Sequence, residues 1–125
     1  MSVLVDSSVW IGYFRGAETD DPLDSLIDEN LVVINDLILA ELIPALQFRR
    51  HRKLISLLRL IPKHPITIDW DELTEMQVLC LRHGINGVGI PDLAIAQHAI
   101  QHDLDLYSHD KHFALLARHI PLSLY

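Results

Sequence analysis

The stretch VLVDSSVW, residues 3–10, decides the fold. Val3, Leu4 and Val5 run without polar alternation, as in a short strand buried on both faces. Asp6 ends the run. Ser7 or Ser8 then offers a hydroxyl to cap a helix through Val9, Trp10 and Phe14, with Gly16 after its end. A strand that passes at once into a helix opens a β–α unit, and a chain of such units builds a mostly parallel sheet.

The pattern recurs along the chain. Pro22 begins a short acidic helix with Leu23, Leu26 and Ile27, and residues 31–34 read as a second buried strand. Asn35 or Asp36 caps the next helix, which carries Leu37, Ile38, Leu42 and Leu46. Pro44 falls inside it and is expected to kink it. Another helical piece carries Leu54, Leu57, Leu58 and Ile61. Ile66, Thr67 and Ile68 read as a third strand, and Asp69 with Glu72 has the form of a capping box. That helix ends near Gly84, a loop fills residues 84–89, and Pro91 starts a further helix. Asp105, Leu106 and Tyr107 form a fourth strand. Phe113, Leu116 and Ala117 mark a last helix, and residues 120–125 close as an edge strand. The expectation is an α/β fold in one domain spanning residues 1–125.

Composition bounds the rest. Half of the 125 residues are hydrophobic, enough for one core. No apolar run is long enough to span a bilayer as a helix. The acid at position 6 without a basic lead argues against a secretory signal. A lone cysteine, Cys80, excludes an internal disulfide framework and fits a reducing cytoplasm, where it serves as a small buried filler. The formal charge of −7 is unevenly spread. Residues 1–48 hold nine acids and one base, Arg15. Residues 49–63 hold Arg49, Arg50, Arg52, Lys53, Arg59 and Lys63 and no acid. A local basic footprint beside an acidic region is compatible with a polyanionic partner.

Four acids occupy places that should be apolar or turning. Asp6 ends the first strand and Asp110 follows the fourth. Glu41 and Asp92 interrupt apolar helical stripes. Functional groups of parallel α/β sheets gather at the carboxyl ends of strands. Carboxylates brought together repel until a cation arrives. Hard oxygen donors suit Mg²⁺ or Mn²⁺. A bound ion can activate water and polarise a phosphoryl oxygen. The acids therefore point to metal-assisted hydrolysis of a phosphodiester.

The residue strings sharpen this. VDSSVWI (residues 5–11) with Phe14, Arg15 and Gly16 resembles the opening of PIN-domain proteins. LAEL (39–42), PDLAIAQHA (91–99) and LYSHDKHF (106–113) resemble their second, third and fourth motifs, in family order. The length and the YFRG run (13–16) look most like the VapC branch, the toxins of type II toxin–antitoxin pairs. The resemblance implies an α/β/α sandwich with a parallel sheet and a Mg²⁺- or Mn²⁺-dependent endoribonuclease. Asp6, Glu41, Asp92 and Asp110 would be its metal-binding and catalytic set. It further implies that Ser108 orients Asp110 or a water on the metal. A homodimer and a cognate VapB antitoxin covering the site are its implied partners. Ile38 departs from the family pattern, standing where many relatives carry a small hydroxyl residue.

Remaining signals are weaker. His98 and His102 have i,i+4 spacing that can bind Zn²⁺, but no Glu follows His98. His109 and His112 flank Asp110 and could reach a phosphate. Arg15 and Lys111 are the bases nearest the acids in sequence, and either could contact RNA phosphates. Trp10, Tyr13 and Phe14 fit core or dimer packing better than base stacking. Two rival functions follow from the same chain. One is a receiver-like phosphoacceptor domain, which needs an adjacent acid pair after its first strand and a Lys after its last; Ser7 and Ser8 follow Asp6, and no Lys lies beyond Lys111. The other is a catalytically silent PIN scaffold that only binds RNA or protein.

Overall fold

The computed structural model describes residues 1–16 and 21–125. Strand β1 (Val3–Val5) lies at its centre, and all three side chains are buried. Successive strand residues project to opposite faces, so both faces of the sheet are covered and the fold has three layers, α/β/α. Asp6 breaks the strand and becomes the N-cap of α1 (Ser7–Phe14). Its carboxylate makes no capping bond to that helix. The expected serine cap is therefore not formed: both serines lie inside the first turn, and Asp6 is engaged elsewhere.

Helix α2 (Pro22–Asp28) is capped by buried Asp21, whose carboxylate accepts from Leu23 N–H. Strand β2 (Val32–Val33) follows. Asn35 caps α3 (Asp36–Phe48) by accepting from Ile38 N–H, and α3 continues without a break through Pro44. Helices α4 (Arg52–Leu60), α5 (Trp70–Arg82) and α6 (Ile90–Gln101) precede strand β3 (Asp105–Tyr107), and α7 (Lys111–Leu116) follows it. Asp69 caps α5 through its carboxylate at Glu72 N–H, but the reciprocal half of the expected capping box does not form, because Asp69 N–H donates to Gln97 Oε1 and Glu72 accepts from Gln97 Nε2.

β1 pairs in parallel with β2 (Val3 opposite Val32) and with β3 (Leu4 opposite Leu106), giving the order β2-β1-β3. The chain leaves β1 toward one side and later returns past it to the other. Ligand sites of such sheets lie in the crevice at that reversal, beyond the strands' carboxyl ends. Asp6 N–H donates to the Tyr107 carbonyl at 2.9 Å, so the two strand ends are tied together there.

Two expected strands are corrected. Residues 66–68 join no ladder; pairing occurs earlier, as one parallel bridge between Ile34 and Lys63. Pro62 and Pro65 lack N–H donors, which limits the ladder here to a single rung. Ile66 and Ile68 instead pack partly buried on the core. The expected edge strand at 120–125 reduces to one bridge, Leu106 with Leu124. The core is continuous. Trp10, Leu4, Ile38, Leu58, Ile95 and Phe113 are among its fully buried members, each worth about 1.5–3 kcal/mol in apolar burial. Helix α6 is buried throughout residues 93–99 and forms the central strut that presents Asp92 at its first turn. Cys80 is buried, and that burial pushes its thiol pKa up, as befits a filler.

Candidate active site

Asp6 is buried, and its Oδ2 accepts two hydroxyl hydrogen bonds, from Ser8 at 2.8 Å and from Ser108 at 2.9 Å. The serines' own oxygens accept from the turn that follows β3: Ser8 from His109 N–H at 3.1 Å, Ser108 from Asp110 N–H at 3.0 Å. Asp110 caps α7, accepting from His112 N–H at 2.9 Å, and its Oδ1 lies 2.8 Å from His112 Nδ1. The His112 ring extends to Gly87, where an added β-carbon would stand 3.3 Å from Nε2. Gly87, at φ +81°, both makes the turn into α6 and leaves room for the ring.

Asp92 sits in the first turn of α6, its Oδ2 3.4 Å from Gly89 N–H. Burial holds its carboxyl above the usual range; the Gly89 N–H and His112 oppose the rise, while Asp110 and Asp6 add to it. Glu41 projects from α3. Burial raises its carboxyl first, then the charges of Asp6 and Asp92, while a hydrogen bond with Ser7 opposes them. The four acids, from four different elements, thus form one electrostatically linked group: Glu41 senses Asp6 and Asp92, and Asp92 senses Asp6 and Asp110.

Among the described residues, no three His, Cys, Asp or Glu side chains converge closely enough to enclose an ion unaided. The donor set nevertheless suits a hard cation, being all carboxylate. Mg²⁺ usually keeps several waters and takes only one or two carboxylates directly, so carboxylates that do not close around one point still suit it.

A groove of about 230 Å³ runs from Glu41 past Ile11, Phe14, Leu42 and Leu54, and Arg15, Arg49 and His51 also line it. Arg15 therefore shares a surface with Glu41. Lys111 lies on a second depression with Ser108, His109, Asp110 and Tyr125. Sequence reading missed Ser8 as a partner of Asp6 and Arg49 and His51 as neighbours of Glu41. A serine two residues after a strand-end acid was the available signal for Ser8. Trp10 is fully buried, with Phe14 and Tyr13 packed around it, so this trio belongs to the core side of α1.

The histidine pair behaves differently from a ligand pair. His98 is fully buried, and its Nδ1 lies 2.7 Å from Asn35 Nδ2. Asn35 Oδ1 is committed to Ile38 N–H, so Nδ2 donates and Nδ1 accepts. The proton then sits on Nε2, and neither ring nitrogen of His98 offers a free lone pair.

A parallel α/β domain with carboxylates beyond the ends of its central strands defines the class. The sequence profile of the PIN domain matches residues 3–119, and the chain belongs to that family. This match also overturns the receiver-like reading. No curated protein matches the sequence. Solved structures share the fold. VapBC2 from Rickettsia felis, bound to a promoter DNA fragment, superposes with a TM-score of 0.78 at 20% identity, covering 100% of this chain and 98% of that one. DNA-bound VapBC from Salmonella typhimurium gives 0.74 at 16% identity, covering 100% and 97%. VapC20 from Mycobacterium tuberculosis, a sarcin–ricin loop cleaving toxin, gives 0.63 at 18% identity, covering 91% and 94%.

Proposed function

We propose that this chain, as one domain of residues 1–125, is a Mg²⁺- or Mn²⁺-dependent endoribonuclease and the toxin of a VapBC-type pair. The observation that carries the reading is the linked set Asp6, Glu41, Asp92 and Asp110 at the carboxyl end of the sheet, beside a groove partly lined by basic residues. These four acids would hold the cation and its waters. When bound, such an ion supplies a water of lowered pKa and offsets charge on a phosphoryl oxygen.

The chain's own residues do the rest. Ser8 and Ser108 hold Asp6, and His112 flanks Asp110 and lies near enough to Asp92 to lower its pKa. Arg15, and Lys111 on the neighbouring depression, would take backbone phosphates and align the scissile one with the cleft. Water would attack phosphorus while the bond to one bridging ribose oxygen breaks; that oxygen would leave as a hydroxyl, the water's proton balancing it, and no covalent enzyme intermediate forms. The structures of VapBC complexes support a VapB-like antitoxin as partner. A homodimer and a cytoplasmic setting complete the proposal; among the described residues no helix is long and apolar enough to cross a membrane.

The purified protein should cut structured RNA in Mg²⁺ or Mn²⁺ and stop in EDTA. Asp6→Asn or Asp92→Asn should abolish cleavage with the fold intact. Full activity of either variant, free of contaminating nuclease, would overturn the assignment. A silent scaffold is the second reading: among the described residues, no three His, Cys, Asp or Glu side chains converge to enclose an ion. RNA binding without cleavage under every divalent-ion condition would select it.

A further inference from the structure

We propose that Ser8 is a positioning residue that, together with Ser108, makes Asp6 a one-oxygen ligand. The inference rests on the metal-dependent reading above. Each hydroxyl is fixed at both ends. Ser8 Oγ accepts from His109 N–H and Ser108 Oγ from Asp110 N–H, so each O–H proton is turned toward Asp6. Both reach the same atom, Oδ2, at 2.8 and 2.9 Å. Two donors occupy the lone pairs of one carboxylate oxygen. Among the described residues no hydrogen bond reaches Oδ1, which is left as the oxygen able to meet a cation.

The two serines sit on different elements, one in the first turn of α1 and one in the turn after β3. Their oxygens are 3.3 Å apart. Ser8 thereby also ties α1 to the turn that carries Asp110. Loss of its hydroxyl frees an Oδ2 lone pair, lets the carboxylate rotate, and loosens the turn from Asp6. Supporting groups of this kind typically change metal affinity 10–100-fold.

The test is Mn²⁺ titration of the purified full chain, read by the electron paramagnetic resonance of free and bound ion. Ser8→Ala should bind Mn²⁺ at least about 10-fold more weakly than wild type, and Ser108→Ala similarly. Ser8→Thr, which keeps the hydroxyl, should recover affinity, whereas Ser8→Val, of the same shape, should not. The Thr–Val comparison decides the matter if the alanine variant fails to fold. Equal affinity for Thr and Val variants, with wild type binding normally, overturns the clamp and leaves the metal reading standing. No Mn²⁺ binding by wild type, with or without RNA, overturns both.

Discussion

Asn35 Nδ2 donates to His98 Nδ1 at 2.7 Å, joining a helix cap to the central helix across 63 residues. Burial, then the nearby His102 and His64, lowers the His98 pKa to about 4. The unfolded chain's imidazole titrates near 6.5. Between those values the unfolded state takes a proton that the folded state refuses, so stability falls as pH drops through this window. The loss expected from His98 is roughly 2 kcal/mol at pH 5 relative to pH 7.5. Urea unfolding at both pH values should show it, and His98→Gln should flatten the difference. An unchanged pH slope in the variant would remove His98 as its source.

Glu41 and Asp92 are raised, the opposite sense for an acid. Their ionised forms are disfavoured in the fold, so each costs stability as pH rises through its folded pKa. In EDTA at neutral pH, Glu41→Gln and Asp92→Asn should therefore melt higher than wild type while losing RNA cleavage. A lower melting temperature for both would mean that their charges are already compensated.

Arg50 holds φ +59°, in the position after α3 where glycine is usual. His51 N–H closes the helix end on Leu46 carbonyl at 2.9 Å. Arg50→Gly should stabilise the protein by about 0.5–1 kcal/mol. Arg50 also belongs to the basic stretch of residues 49–63, so the same change should weaken RNA binding and lower its salt dependence by about one unit of slope. Calorimetry and binding titrations over salt concentration measure the two effects separately.

Gly87→Ala should destabilise by about 1–3 kcal/mol because φ +81° strains any side chain. The new methyl would also crowd the His112 ring, so cleavage should fall more than thermal unfolding alone explains. Activity measured well below the variant's melting temperature checks this. A fully active Gly87→Ala would show that His112 can move freely.

Sequence alone determined most of the element types, the strands expected at residues 66–68 and 120–125 excepted, and it singled out the four acids as candidates. Apolar runs, helical periodicity and caps such as Asn35 and Asp69 act over a few residues, so their physics is readable locally. The placing of Asp6 at a strand end and Asp92 in a helix's first turn followed from the same short-range signals. Tertiary structure alone decided that Ser8 meets Ser108, that His98 is buried against Asn35, and that pairing occurs at Lys63 and not at residues 66–68. Each of these depends on strand register and helix packing between segments tens of residues apart, and no local pattern encodes which side chains that packing brings into contact.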